Sequence, residues 1–183
     1  LLITPIIFGT SNLDEKSSAV PLEMFIVLVG IILVIPAFLP EQQKEIKELV
    51  EAKYTGSNAV YIIRILLAVF SLFLLISGFC LIMLLNGCSF AFLPYILGTF
   101  TGSIFLGALG LLSYGISNNT AVGYMLPIIY FIFNLFGGRS FWGKLYLFSM
   151  SQGSYEEKYW LFGAALVILT LTLLLKAVIR KKR

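Results

Sequence analysis

The chain contains no histidine, and its two cysteines, Cys80 and Cys88, form no CxxC pair. A metal site or a thiol relay is therefore not expected. The phosphate-cradling motif GxxxxGK[ST] is missing, so nothing marks the chain as a nucleotide binder in its own right. There is no HExxH and no intramembrane pair of acids to serve as an acid–base couple. Charge is scarce as well: Asp, Glu, Lys and Arg supply 12% of 183 residues, against about a quarter in an ordinary soluble domain. The chain is accordingly read as no enzyme, with no cofactor or metal of its own and no nucleic-acid partner.

What is there is apolar. Hydrophobic residues make up 59% of the chain and the mean hydropathy is +0.97. A water-soluble fold of this composition would have too little polar surface to cover itself. Five runs, at about 21–39, 60–85, 90–117, 121–136 and 159–179, are long and nearly free of charge. At about 1.5 Å per residue most of them cross a ~30 Å hydrocarbon core, and lipid forces each to be helical. The expected fold class is all-α: a polytopic transmembrane bundle forming a single domain. The opening LLITPIIFG reads as the outer end of a sixth helix, giving six spans in the full chain with the first largely missing.

Orientation follows from the cations. If the segment 40–55 and the C-terminal tail share one side, that side holds Lys44, Lys47, Lys53, Arg64, Lys176, Arg180, Lys181, Lys182 and Arg183. The opposite side holds only Lys16, Arg139, Lys144 and Lys158. The positive-inside rule then makes the first side cytoplasmic and the protein a multi-pass component of the cell membrane with both ends inside. Glu23 is the one acid within a span, and it is placed near that span's outer end. Proton-coupled transport wants ionisable groups near the midplane, so a carrier of that kind is disfavoured and an externally powered one is left.

Two connections are long enough to do work. The cytoplasmic one, PEQQKEIKELVEAKYTGS, sets Ile46, Leu49 and Val50 at helical spacing beneath a mixed charged surface. The pairs Lys44/Glu48 and Lys47/Glu51 are four apart and add roughly 0.2–0.5 kcal/mol each to such a helix. One reading is a helix lying flat on the headgroups. The four acids Glu41, Glu45, Glu48 and Glu51 argue instead for a protein partner. The external connection, 137–158, reads on into the last helix with Phe141, Trp142, Tyr146, Phe148, Tyr155, Tyr159 and Trp160. That is an interfacial aromatic composition. Part of it is expected to dip back into the outer leaflet, as a plain anchor or as a lid over an exit.

Inside the spans, Gly98, Gly102, Gly107 and Gly110 let helices approach closely, within the chain or at a subunit interface. In the following helix Gly123, Pro127, Tyr130 and Asn134 fall on one face. Pro127 cannot donate to the carbonyl of Gly123, so a kink and a freed carbonyl are expected. That face reads either as a polar translocation path or as helix–helix hydrogen bonding.

The layout of these parts, with the segments from Pro40 through Arg64, LNGCSF, AVGYMLPIIYFIFNLFGG, LYLFSM and EEKYW, resembles the membrane subunits of bacterial type-2 ABC exporters. The likeness covers nearly the whole chain. It implies a six-helix permease that pairs with a second permease, identical or homologous, and with two copies of a cytosolic ATP-binding subunit carrying ATP and Mg. It also implies that the helix at 41–53 couples to that ATPase through Glu41, Lys44, Glu45, Lys47, Glu48, Leu49 and Lys53. Family cargoes include peptides, lipids, polysaccharides and drugs, and greasy walls suit an apolar or amphipathic one, with a peptide slightly preferred by analogy. The rival from another class is a non-transporting membrane scaffold that recruits a cytosolic partner.

Overall fold

The computed structural model describes residues 11–37 and 57–181. The expected coupling segment, 41–53, lies outside the described residues, as does the opening LLITPIIFG. Among the described residues the chain is helical and carries no strand. Five helical stretches among the described residues are long and apolar enough to cross a membrane.

The first span is composite. Helix α1 (Glu15–Met24) gives way to a 3₁₀ turn at Ile26–Leu28, and α2 (Val29–Val34) carries the run onward to Ala37. It starts six residues before Pro21, the start expected from apolarity. Asp14, in extended conformation, precedes the helix, and Glu15 places negative charge in its first turn, where the helix dipole favours it. The polar residues EKSS thus form the opening turn. Glu23 consequently stands about 12 Å along the span rather than at its mouth.

Helices α3 (Ser57–Leu85), α4 (Phe92–Ser117), α5 (Thr120–Trp142) and α6 (Glu156–Lys181) follow, and α4 packs against each of the other three. The α4–α5 turn is set by its two asparagines. Asn118 adopts a left-handed conformation (φ 49°) and returns its N–H to Tyr114 O at 2.8 Å, closing α4. Asn119 Oδ1 then accepts from Ala121 N at 2.9 Å, capping α5.

Helix α4 is the hub, with 78% of its membrane-length window buried against 17–28% for α3, α5 and α6. It is flanked by α2, α3, α5 and α6. Ile65, Leu72, Ile76, Phe79 and Met83 of α3 repeat at helical spacing and are buried. Phe70 and Leu74 of α3, Met125 and Phe136 of α5, and Val167 and Leu174 of α6 are exposed. Apolar surface on this scale has no place in water and fits a hydrocarbon surround.

One end of the bundle collects Asn12, the α3–α4 turn and the segment ahead of α6. Asn12 N–H donates to Asn86 O, and Ser89 N–H to Leu13 O, each at 3.1 Å.

Candidate functional site

The sequence GGRSFWG after Phe136 cannot keep one helical course. At Gly138 the backbone leaves helical geometry (φ 63°, ψ 176°), and at Gly143 it again takes a positive φ of 51°. A Cβ at either position would meet nothing within 4 Å, so these glycines serve backbone conformation rather than packing. The chain then folds back into the bundle, and Tyr146 through Met150 are all buried. Room is made by α4. A Cβ on Gly98 would overlap Met150 Sδ, and one on Gly102 would lie 3.3 Å from both Leu147 Cδ1 and Val27 Cγ2.

Buried backbone that is not α-helical, here broken into 3₁₀ turns at Gly143–Leu145 and Met150–Gln152, leaves polar groups that side chains must meet. Tyr130 Oη donates to Leu145 O at 2.5 Å, and Asn134 Oδ1 accepts from Leu147 N at 2.8 Å. Lys158 Nζ donates to Leu147 O at 2.6 Å. Glu23 receives the rest: Oε1 accepts from Met150 N at 2.9 Å and Oε2 from Ser151 N at 3.0 Å. The carboxylate and ammonium also meet each other at 2.7 Å, with side chains 0% and 6% exposed. Helices α1, α5 and α6 are thereby joined through one short segment.

A buried pair is sensitive to the loss of either partner. Removing one charge leaves the other desolvated and unpaired, at a cost of about 3–5 kcal/mol. The outer pair, Arg139–Glu157 at 2.5 Å, differs in kind because the arginine is 47% exposed. Ser154 Oγ donates to Glu157 Oε2 at 2.6 Å and accepts from Arg139 at 3.3 Å. Water screens that cluster, so it contributes less than the inner pair. Lys144 Nζ sits 4.3 Å from the centre of the Trp160 ring at the same rim. Burial, reinforced by the Glu23 charge and opposed by Arg139, raises the Tyr146 phenol above its ordinary range.

The aromatic residues divide. Phe141, Tyr159 and Trp160 are exposed at the rim, whereas Tyr146 and Phe148 are buried in the folded-back segment, their rings 6.0 Å apart.

Gly98, Gly102, Gly107 and Gly110 of α4 all face protein within this chain. Gly98 and Gly102 receive the segment and Val27, Gly107 lies 2.7 Å from Val34 Cβ when given a Cβ, and Gly110 abuts Ile35. The face Gly123, Pro127, Tyr130 and Asn134 also points inward. Gly123 lies against Tyr114, and Pro127 and Asn134 are buried. Tyr130 stacks at 5.2 Å on Phe105 and at 4.8 Å on Trp142. The carbonyl of Gly123 has Ser113 Oγ 3.5 Å away, although that hydroxyl already lies 2.9 Å from Leu109 O and 3.0 Å from Gly110 O. A path along this face would require α5 to part from α4.

No family model, curated protein or solved structure matches this chain. Its chemistry is therefore read from its own residues. The stretch Gly138–Lys144, GRSFWGK, spells most of a phosphate-binding loop, but Leu145 stands where the hydroxyl residue is needed. It also follows a helix, not a strand. Among the described residues no group of three or more His, Cys, Asp or Glu is placed to hold a metal. What the site can do is mechanical: hold a segment shut at one end of the bundle.

The Glu23–Lys158 pairing escaped the sequence reading, which counted Lys158 among rim cations and Glu23 as an end-of-span acid. A signal existed. A lone carboxylate in an apolar run needs a cation, and only Lys16, Arg139, Lys144 and Lys158 were assigned to that end.

Proposed function

We propose that the chain is the membrane-spanning permease subunit of an ATP-driven exporter of the type-2 ABC kind. It moves an amphipathic or apolar cargo outward and is worked by a separate cytosolic ATPase. The observation that carries this reading is the closure of one end of the bundle, which this reading makes the outer end: a buried segment without α-helix, joining the last two spans and seated on a glycine-cleared groove of the hub helix. A bundle that only anchors has no use for so elaborate a closure. The five membrane-length helices and the resemblance of the layout to that family support the same reading. In it the subunit has six spans, both ends are cytoplasmic, and two ATPase copies grip the acidic element at 41–53 while a second permease completes the pathway. ATP-driven closure of the ATPases then rocks the helices and frees an exit beneath 137–158.

The test is charge reversal at Glu45 and Glu48, both to Lys, with transport followed in inverted vesicles containing the complete assembly. ATP-dependent transport is expected to vanish while membrane insertion is retained. Undiminished transport removes the docking role. The close packing of the Gly123–Asn134 face favours a second reading, a non-transporting scaffold. Purification from the native membrane with no ATP-binding subunit attached would favour that scaffold.

A further inference from the structure

Three observations converge on residues 139–153. The segment is bounded by glycines in positive-φ conformations, Gly138 (63°), Gly143 (51°) and Gly153 (77°). Its contacts with the bundle include side chains from three separate helices. Glu23 holds Met150 N and Ser151 N, Asn134 holds Leu147 N, and Lys158 holds Leu147 O. The buried hydroxyls of Thr99 and Ser103 on α4 and of Ser149 within the segment have no hydrogen-bond partner among the described residues. A polar group of this sort is costly in a finished core, so a segment that buries the Ser149 hydroxyl without a partner is not optimised for the closed arrangement alone.

The geometry points to a hinged plug whose latch is the Glu23–Lys158 pair: splitting that one contact releases residues 143–153 from the bundle while α1, α5 and α6 stay in place. Glu23 binds two consecutive N–H groups of the plug and also the lysine that binds its carbonyl, so the one carboxylate ties the plug's amides to the cation that holds Leu147 O. Lys158 sits at the start of α6, ahead of the long apolar run, and its release does not unwind that helix. The outer Arg139–Glu157 pair lies at the rim and bonds neither Leu147, Met150 nor Ser151. It therefore serves as an internal comparison. The latch rests on the exporter reading only for the purpose of its opening.

Cysteine accessibility tests it. Ser149→Cys in a Cys80→Ala, Cys88→Ala background is nearly isosteric, and Ser149 Oγ has no hydrogen bond to lose. The thiol is probed with a membrane-impermeant maleimide in intact cells and in inverted vesicles. It is expected to be protected in the parent and to label about a hundredfold faster, from one side only, in Glu23→Gln and in Lys158→Met. Arg139→Met should leave it protected. Protection unchanged in both latch variants overturns the proposal, as does rapid labelling of the parent. So does failure of both latch variants to insert, because a latch is dispensable for folding and a structural staple is not. The exporter reading is separated by comparing ATP-depleted with energised cells. A latch that opens by mutation yet labels identically with and without ATP stands, while the ATP-driven function falls.

Discussion

Replacing Gly30 by alanine adds a single methyl group where α2 crosses α4. That Cβ would collide with the carbonyl of Ser103, a backbone atom of the hub helix with no rotamer through which to withdraw. The helices must separate by about 1 Å, and a gap of that size forfeits a quarter to a half of each dispersion contact along the seam. Val27 against Gly102, Val34 against Gly107 and Ile35 against Gly110 all lie on that seam. We expect about 3 kcal/mol or more of destabilisation, at the upper end for overpacking. The cost should then fall in order of how well the struck neighbour can yield. Gly107→Ala meets the Cβ of Val34, whose branched side chain has essentially one helical rotamer, and ranks next. Gly98→Ala meets the Met150 thioether, which can swing aside, and should cost least of the three. Gly78→Ala meets nothing within 4 Å and should be neutral or slightly stabilising. Thermal unfolding of the four variants in one detergent, followed by tryptophan fluorescence, gives the order directly. A Gly30→Ala variant as stable as Gly78→Ala refutes the packing argument.

Asn134→Leu removes the acceptor for the buried N–H of Leu147 and should weaken the seat of the folded-back segment by about 1–3 kcal/mol. Asn134→Asp keeps an acceptor, so faster amide exchange at Leu147 in the leucine variant alone is the expected pattern. Pro127→Ala restores a donor toward the Gly123 carbonyl, and on the exporter reading it should alter transport in vesicles more than thermal stability. Equal loss of both would reduce Pro127 to a structural residue.

The spans were legible because hydrocarbon leaves little choice: a long run without charge must be helical, and the observed α3 and α4 run close to their expected bounds. Ends were harder, since apolarity marks where lipid begins rather than where a helix begins. Hence α1 opens through EKSS, and α5 continues past Phe136 to Trp142 beyond a break at Gly138. The inward face of α5 could be read from its spacing, since Gly123, Pro127 and Asn134 recur at four- and seven-residue steps and are buried. What that face holds could not. Asn134 serves the backbone of Leu147, a residue whose side chain is seated against Gly102 on another helix. Contacts of that kind are made by tertiary geometry, and no local pattern encodes them.

The helix that ends as the hub is unlike its neighbours in chemistry. Helix α4 carries Thr99, Thr101, Ser103 and Ser113 together with its glycines, whereas α3, joined to it by a short turn, is the most apolar of the spans. Because α3 precedes α4 in the chain, the more hydroxylated helix always follows an apolar partner, and the short turn between them keeps that partner within reach.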